Sequence, residues 1–335
     1  MDDECPGCGY NATVEDQVAA AIIFVTAGCG VGINMLITLT TGRLPMLRNS
    51  FGTLLRFQSG AETIFLAIWA FYFAPALFLN IDTLKSFNIS RRMGQLCLIC
   101  YDVSIYSHLS ISINRFVSLY FPTEYSFIFN DYVTRWIIAV ICGLSLTFSF
   151  LLPAGGCNMI FSNAKWMLDY HATCNLTLLY YAEFLRAVIV ITAIFCINAA
   201  TYLKMHMHHQ RNYPLRAGAS NVELGLQQKR RLIEKNFVRQ VCIQGFAYVT
   251  ELLTYFLVSL AFPQQWPNFI LTTWAWIMVH TVDGFITLIF NRQFRKILFP
   301  KDDTNYYQNG GDTSSKVITL PAGHFINEQA LEVML

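Results

Sequence analysis

Seven stretches of this chain are each long enough and apolar enough to cross a lipid bilayer, and that pattern constrains everything else. They run over Val18–Thr41, Phe51–Leu79, Met93–Tyr120, Trp136–Leu152, Leu176–Leu203, Phe237–Phe262 and Phe269–Phe290. About 20 apolar residues in a helix span the ~30 Å hydrocarbon layer. In that layer each backbone amide must be satisfied inside its own segment, so the runs predict α-helices. Only 13% of the 335 residues are charged and the mean hydropathy is +0.41. A soluble domain carries about a quarter charged residues, so the exterior of this fold is built for lipid. The expected fold class is an all-α membrane protein, a seven-transmembrane helix bundle. A net charge of +2 gives no electrostatic footprint for nucleic acid.

The basic residues set an orientation. With the N-terminus outside, 18 of the 23 Lys and Arg residues fall in cytosolic segments, including Arg43, Arg48, Arg56, Arg115, Arg135 and the cluster from Lys204 to Arg239. The outer segments then hold Lys85, Arg91, Arg92 and Lys165. Glycosylation sequons at Asn11, Asn88 and Asn175 fall on that same outer side. The opening segment has Asp2, Asp3, Glu4, Glu15 and Asp16 and no basic residue before the first span, which is not the pattern of a secretory signal peptide. The expected organisation is an extracellular tail over 1–17, a seven-transmembrane domain over 18–299 and a polar, disordered cytosolic tail over 300–335 of a plasma-membrane protein. Asn291 to Phe299 reads as a short amphipathic eighth helix. It sets Phe294, Ile297 and Leu298 toward lipid and Arg292, Arg295 and Lys296 toward headgroups.

An ionisable group in hydrocarbon is expensive, so each one calls for a partner or a function. Within the spans stand Glu62, Asp102, His108, Glu183, Arg186, Glu251, His280 and Asp283. Glu183 and Arg186 are three residues apart on one helix face, so they either pair with each other or meet a ligand. Asp102 and Glu251 have no local partner and must face the interior, where a ligand, water or Arg186 would meet them. Cys157 and Cys174 bracket the second outer loop, where a bond between them would restrain a lid over the bundle; Cys97 is the alternative partner for either. Cys5 and Cys8 fit a disulfide better than zinc. No catalytic motif or phosphate-binding glycine loop occurs, so no enzyme activity, cofactor or metal site is expected. His206, His208 and His209 read as a solvated basic patch.

The strongest local signal closes span three: Ser107-His108-Leu109-Ser110-Ile111-Ser112-Ile113-Asn114-Arg115-Phe116, followed by Phe121-Pro122 and Tyr125. Asn114-Arg115-Phe116 resembles the Asp-Arg-Tyr element of rhodopsin-like G-protein-coupled receptors, with Asn114 in place of the acid. Glu234 resembles the acidic partner across the bundle at the start of span six. Asp283-Gly284 and Thr287 stand where that family has Asn-Pro-x-x-Tyr, so Gly284 and Thr287 are departures. Gly32-Ile33-Asn34 resembles its Gly-Asn pair in span one, and span seven has no lysine for a retinal Schiff base. Together with Phe51-Gly52 and Phe290-Asn291-Arg292, the chain resembles the nematode serpentine chemoreceptors of class x over all seven spans.

That resemblance implies a sensory-neuron receptor that binds a small environmental or secreted ligand and activates a heterotrimeric G protein. The expected ligand lining is Cys97, Tyr101, Asp102, Ile105, Glu183, Arg186, Glu251, Trp276 and His280. The expected cytosolic switch is Asn114, Arg115 and Phe116 with Glu234 and Asp283. Membrane lipids are the remaining partner. Two rivals stay open: a transporter or ligand-gated channel, supported by the intramembrane charges, and a receptor that folds without signalling, supported by the departures at Asn114, Gly284 and Thr287. Against a transporter stands the lack of an inverted repeat or of matching broken helices.

Overall fold

The computed structural model describes residues 13–80, 86–211 and 239–291, together with Asn236 and Phe294. Among them seven helices are long and apolar enough to cross a membrane. They are α1 (Val14–Thr41), α2 (Ser50–Leu79), α3 (Phe87–Tyr120), α4 (Asp131–Ala154), α5 (Leu176–Met207), α6 (Arg239–Ala261) and α7 (Gln265–Phe290). Four expected starts move outward by several residues: α1 begins before Val18, α3 before Met93, α4 before Trp136 and α7 before Phe269. Polar residues supply these extra turns, and hydropathy does not register them. Caps hold two of these starts. The Asn130 side chain accepts from Val133 N at the start of α4, and Thr13 and Asp16 cap α1 reciprocally. Cys5, Cys8, Asn11, Glu234, most of the segment expected to form an eighth helix and the tail from residue 300 lie outside the described residues.

α3 is the most buried of the seven helices and α4 the least. α3 therefore forms the axis of the bundle, packed against α2, α4 and α5, while α1 closes the ring between α2 and α7. Large apolar side chains such as Phe24, Val25, Trp136, Phe150, Ile189, Phe195 and Phe246 remain exposed on the outer surface. In water such a surface would aggregate; in a bilayer it is the solvated face. Close helix approach is set by small residues. A Cβ at Gly284 of α7 would lie 2.8 Å from Asn34 Oδ1 and 2.9 Å from Ile33 Cγ2 of α1.

One end of the bundle is roofed by a hairpin, β1 (Met159–Ser162) paired antiparallel with β2 (Met167–Tyr170), with Met159 opposite Tyr170 and Ser162 opposite Met167. Cys157 and Cys174 are joined by a disulfide across its base. Cys97 is a free, fully buried thiol in α3, which removes it as the alternative partner. The hairpin is pinned to four helices. Phe161 N donates to Ser90 Oγ of α3 at 2.9 Å, and Thr273 Oγ1 of α7 donates to Trp166 O at 2.8 Å. Tyr255 OH of α6 donates to Leu168 O at 3.5 Å, and Trp166 Nε1 donates to Asp16 Oδ1 of α1 at 2.6 Å. Trp166 is wholly buried against Trp266 and Phe269, and it takes a left-handed backbone (φ 52°) to turn inward.

Four helices contain a π-type turn near the hairpin end: Trp69–Phe73 in α2, Tyr180–Leu185 in α5, Thr254–Val258 in α6 and Ile270–Trp274 in α7. Such turns widen a helix locally and re-aim the side chains that follow. The π turn of α5 contains Glu183 and delivers Arg186.

Candidate functional site

Beneath the hairpin, Arg186 of α5 reaches across to α3. Its Nη1 lies 2.7 Å from Asp102 Oδ1 and donates to Tyr106 OH at 2.9 Å. Nε donates to Ala182 O at 2.6 Å, and Nη2 reaches Glu183 Oε2 at 3.4 Å. The guanidinium also lies 4.5 Å from the centre of the Phe148 ring. Glu183 is thus the weaker partner of Arg186, and the tighter pair joins two helices far apart in sequence. Asp102, Glu183 and Glu251 are all buried. Glu251 of α6 has a buried Oε2 with no hydrogen-bond partner among the described residues. The Tyr170 hydroxyl, on the hairpin, is likewise buried without one. Burial pushes the Tyr170 phenol well above its usual range, and the Glu183, Tyr255 and Asp102 groups nearby push the same way, with Arg186 opposing. It is therefore a neutral donor under any physiological condition.

An aromatic floor lies below. Trp276 of α7 meets Tyr101 edge-on at 5.4 Å, Tyr255 at 6.3 Å and Phe65 at 5.0 Å between ring centres. His280 packs on Phe65 at 4.4 Å and on Tyr101 at 6.0 Å. Its Nδ1 faces Tyr248 OH at 3.5 Å and Glu62 Oε1 at 3.8 Å, so it belongs to the floor and to the layer beneath. Asp102, Glu183, Arg186 and Glu251 therefore converge, while Cys97, Tyr101, Ile105 and Trp276 all belong to the apolar core around them.

Under the aromatic floor, α2, α3, α6 and α7 share a second polar layer. Glu62 Oε1 accepts from Ser104 Oγ at 2.8 Å, from Gln58 Nε2 at 3.1 Å and from Tyr248 OH at 3.4 Å. Gln58 Nε2 also stands 2.7 Å from His108 Nε2 and donates to Asp283 Oδ2 at 2.8 Å. His108 Nε2 lies 3.2 Å from Asp283 Oδ1. The amide nitrogen meets two carboxylate oxygens and a ring nitrogen that donates or accepts according to its tautomer, so this layer has more than one hydrogen-bonding arrangement open to it. Glu62, His108 and Asp283 each bring a ligand atom to within 4.8 Å of the others, a donor set that could hold a cation. Hydropathy alone marks these residues as costly, but only the fold makes them neighbours. Gln58, Ser104 and Tyr248 carry no such mark, since neutral polar side chains are common in apolar helices.

At the opposite end of α3, Asn114 is fully buried and donates from Nδ2 to Tyr125 OH at 3.1 Å. The Arg115 guanidinium lies 3.7 Å over the Phe51 ring of α2. Phe116 stacks on Tyr120 at 4.2 Å, and Tyr120 OH donates to Ala200 O of α5 at 3.1 Å. Asn88 and Asn175 are exposed, both at the hairpin end.

This architecture, with a roofed polar cluster at one end and an arginine-bearing helix end at the other, is a seven-transmembrane helix bundle. The bundle is similar to squid rhodopsin, with a TM-score of 0.68 over 87% of each chain at 13% identity, a likeness of fold. Residues 24–291 match the family described as serpentine type 7TM GPCR chemoreceptor Srx. The chain is 48% identical to Serpentine receptor class X 45 of Caenorhabditis elegans, over 84% of this chain and 81% of that protein. It is 24% identical to Serpentine receptor class X-43 of the same nematode, over 91% and 92% of the two chains. The protein belongs to the Srx family of serpentine chemoreceptors and is a multi-pass membrane protein.

Proposed function

We propose that this protein is a chemosensory receptor whose small ligand binds under the hairpin, between α3, α5, α6 and α7, and whose opposite end activates a heterotrimeric G protein. The observation that carries the reading is the Asp102–Arg186–Glu183 cluster with Glu251 beside it. These are costly charges gathered in one buried place, and Glu251 Oε2 has no hydrogen-bond partner among the described residues. In this reading the N-terminus and hairpin face the exterior of a sensory neuron. Residues 1–17 form an extracellular tail, 18–299 the receptor domain with an amphipathic eighth helix, and 300–335 a cytosolic tail.

Ligand binding shifts the receptor only through contacts that differ between its two states. Contacts on Glu251 and Trp276 would bear on α6 and α7 and, through His280, on the Glu62–His108–Asp283 layer. That layer joins α2, α3 and α7 to Tyr248 of α6, so rearranging its hydrogen bonds would loosen α6 at the far end and free Arg115 from Phe51. Glu234 is the proposed acidic partner that Arg115 meets in the resting state.

The test expresses the receptor with an N-terminal surface epitope and screens small molecules with calcium or cAMP reporters. Arg115→Ala is expected to keep surface expression and ligand binding while abolishing G-protein activation. Unchanged activation in that variant, or ligand-evoked current without any G protein, would overturn the reading. Loss of an Asn11-linked glycan on glycosidase treatment tests the orientation.

A further inference from the structure

We propose that the ligand carries a protonated amine that seats against the Glu251 carboxylate, beside the rings of Tyr101, Tyr255 and Trp276. The inference rests on the reading that the hairpin-covered polar cluster is the ligand site. Three carboxylates, Asp102, Glu183 and Glu251, stand around one guanidinium. Arg186 is already engaged by Asp102 at 2.7 Å, Glu183 at 3.4 Å, Tyr106 OH at 2.9 Å and Ala182 O at 2.6 Å. Glu251 receives none of that charge. It is 6% exposed, its Oε2 has no hydrogen-bond partner among the described residues, and it lies near enough to Glu183 for the two like charges to repel. A buried carboxylate in this position keeps its charge only beside a cation and otherwise takes up a proton, so an ammonium ligand would find an acceptor here that no group of the described residues already fills.

The surroundings fit an ammonium group. Tyr101 and Tyr255 are both electrostatic neighbours of Glu251, and both rings meet Trp276 edge-on. Aromatic faces beside a carboxylate attract an ammonium through the ring quadrupoles, while the carboxylate accepts a charge-assisted hydrogen bond. Two further buried groups, Trp276 Nε1 and Tyr170 OH, lack hydrogen-bond partners among the described residues. They would donate to a hydroxyl or carbonyl elsewhere on the ligand. A carboxylic-acid ligand would instead add a fourth negative charge to a cluster whose guanidinium is already shared among four partners.

The experiment uses the full-length receptor in detergent or nanodiscs. Thermal unfolding is followed with phenylethylamine, phenylpropionate and phenylpropanol at equal millimolar concentrations. The amine alone should raise the unfolding midpoint. Glu251→Gln should lower amine affinity by about 10- to 100-fold, the size of one charge-assisted hydrogen bond. If that variant does not fold, Trp276→Leu carries the same test by removing one of those rings, and amine binding should again weaken. No stabilisation by the amine, equal stabilisation by phenylpropionate, or amine binding indifferent to both substitutions would overturn the assignment. If phenylpropionate binds and Arg186→Lys abolishes it, the cluster remains the ligand site and only the amine is wrong. If reporter-identified activators ignore substitutions at Asp102, Arg186 and Glu251 alike, the reading of the cluster as the ligand site itself fails.

Discussion

Replacing Asp102 by asparagine tests whether the cross-bundle ion pair holds α3 to α5. Asp102 lies 2.7 Å from the Arg186 guanidinium and Glu183 lies 3.4 Å from it. At an effective dielectric of about 20 these contacts correspond to roughly 6 and 5 kcal/mol of Coulomb attraction, before desolvation is subtracted. Removing one partner of a buried pair costs about 3–5 kcal/mol, because the other charge is left uncompensated. The amide introduced by Asp102→Asn would keep a carbonyl acceptor, and Glu183 would remain to take the charge. Both points place the substitution at the low end, about 3 kcal/mol. That is over a hundredfold in the folded-to-unfolded ratio. Glu183→Gln should cost less, about 1–2 kcal/mol, since its contact is longer and Asp102 stays in place. The triple variant that adds Arg186→Leu removes every charge of the cluster and should recover most of the loss, as uncharged replacements of buried ion clusters do. Denaturant or thermal unfolding of the solubilised receptor reads all four proteins. Equal costs for Asp102→Asn and Glu183→Gln, or a triple variant less stable than either, would refute the reasoning.

Three further outcomes follow from the geometry. Gly284→Ala would drive a methyl group to 2.8 Å from Asn34 Oδ1 and 2.9 Å from Ile33; a loss of about 1–3 kcal/mol is expected, visible as a lower unfolding midpoint. Cys157→Ser opens a loop with a sequence separation of 17 and should cost about 3 kcal/mol, whereas Cys97→Ala should leave the disulfide intact on peptide mapping. Trp166→Phe deletes the 2.6 Å donor to Asp16 and should cost about 1–3 kcal/mol; limited proteolysis of the hairpin would then show faster cleavage, and an unchanged rate would mean this anchor is dispensable.

The layered polar core was only half legible in the chain. Glu62, Asp102, His108, Glu183, Arg186, Glu251, His280 and Asp283 stand out because charge in an apolar run is costly wherever it points. What each of them meets was legible only in part: Arg186 stood among the candidates for Asp102, with nothing to choose it over a ligand or water. The sequence offers Glu183 as the neighbour of Arg186, three residues away, yet the shorter contact is to Asp102, which is far away in the chain. Local spacing exposes i,i+3 pairs, and it says nothing about which faces of two helices turn toward each other. The hairpin was hidden for a related reason. Met159–Ser162 and Met167–Tyr170 are only four residues each, and their burial comes from the helices beneath, as where Phe161 packs on Trp69 and Phe73 of α2.

Hydropathy by itself determined the number of spans, their order and their helical form, because in hydrocarbon a backbone must satisfy itself and the choice is local. Cysteine placement narrowed the disulfide to Cys157 and Cys174, with Cys97 left open as an alternative partner. The tertiary structure decided the rest: that Cys97 stays free, that Arg186 turns to α3, that Glu251 Oε2 is left without a hydrogen-bond partner among the described residues, and that Gln58 ties Glu62, His108 and Asp283 into one layer. Those outcomes depend on helix rotation and tilt. Both are set by small-residue contacts such as Gly284 against Asn34, and by pairings between residues far apart in the chain, which no local window of sequence contains.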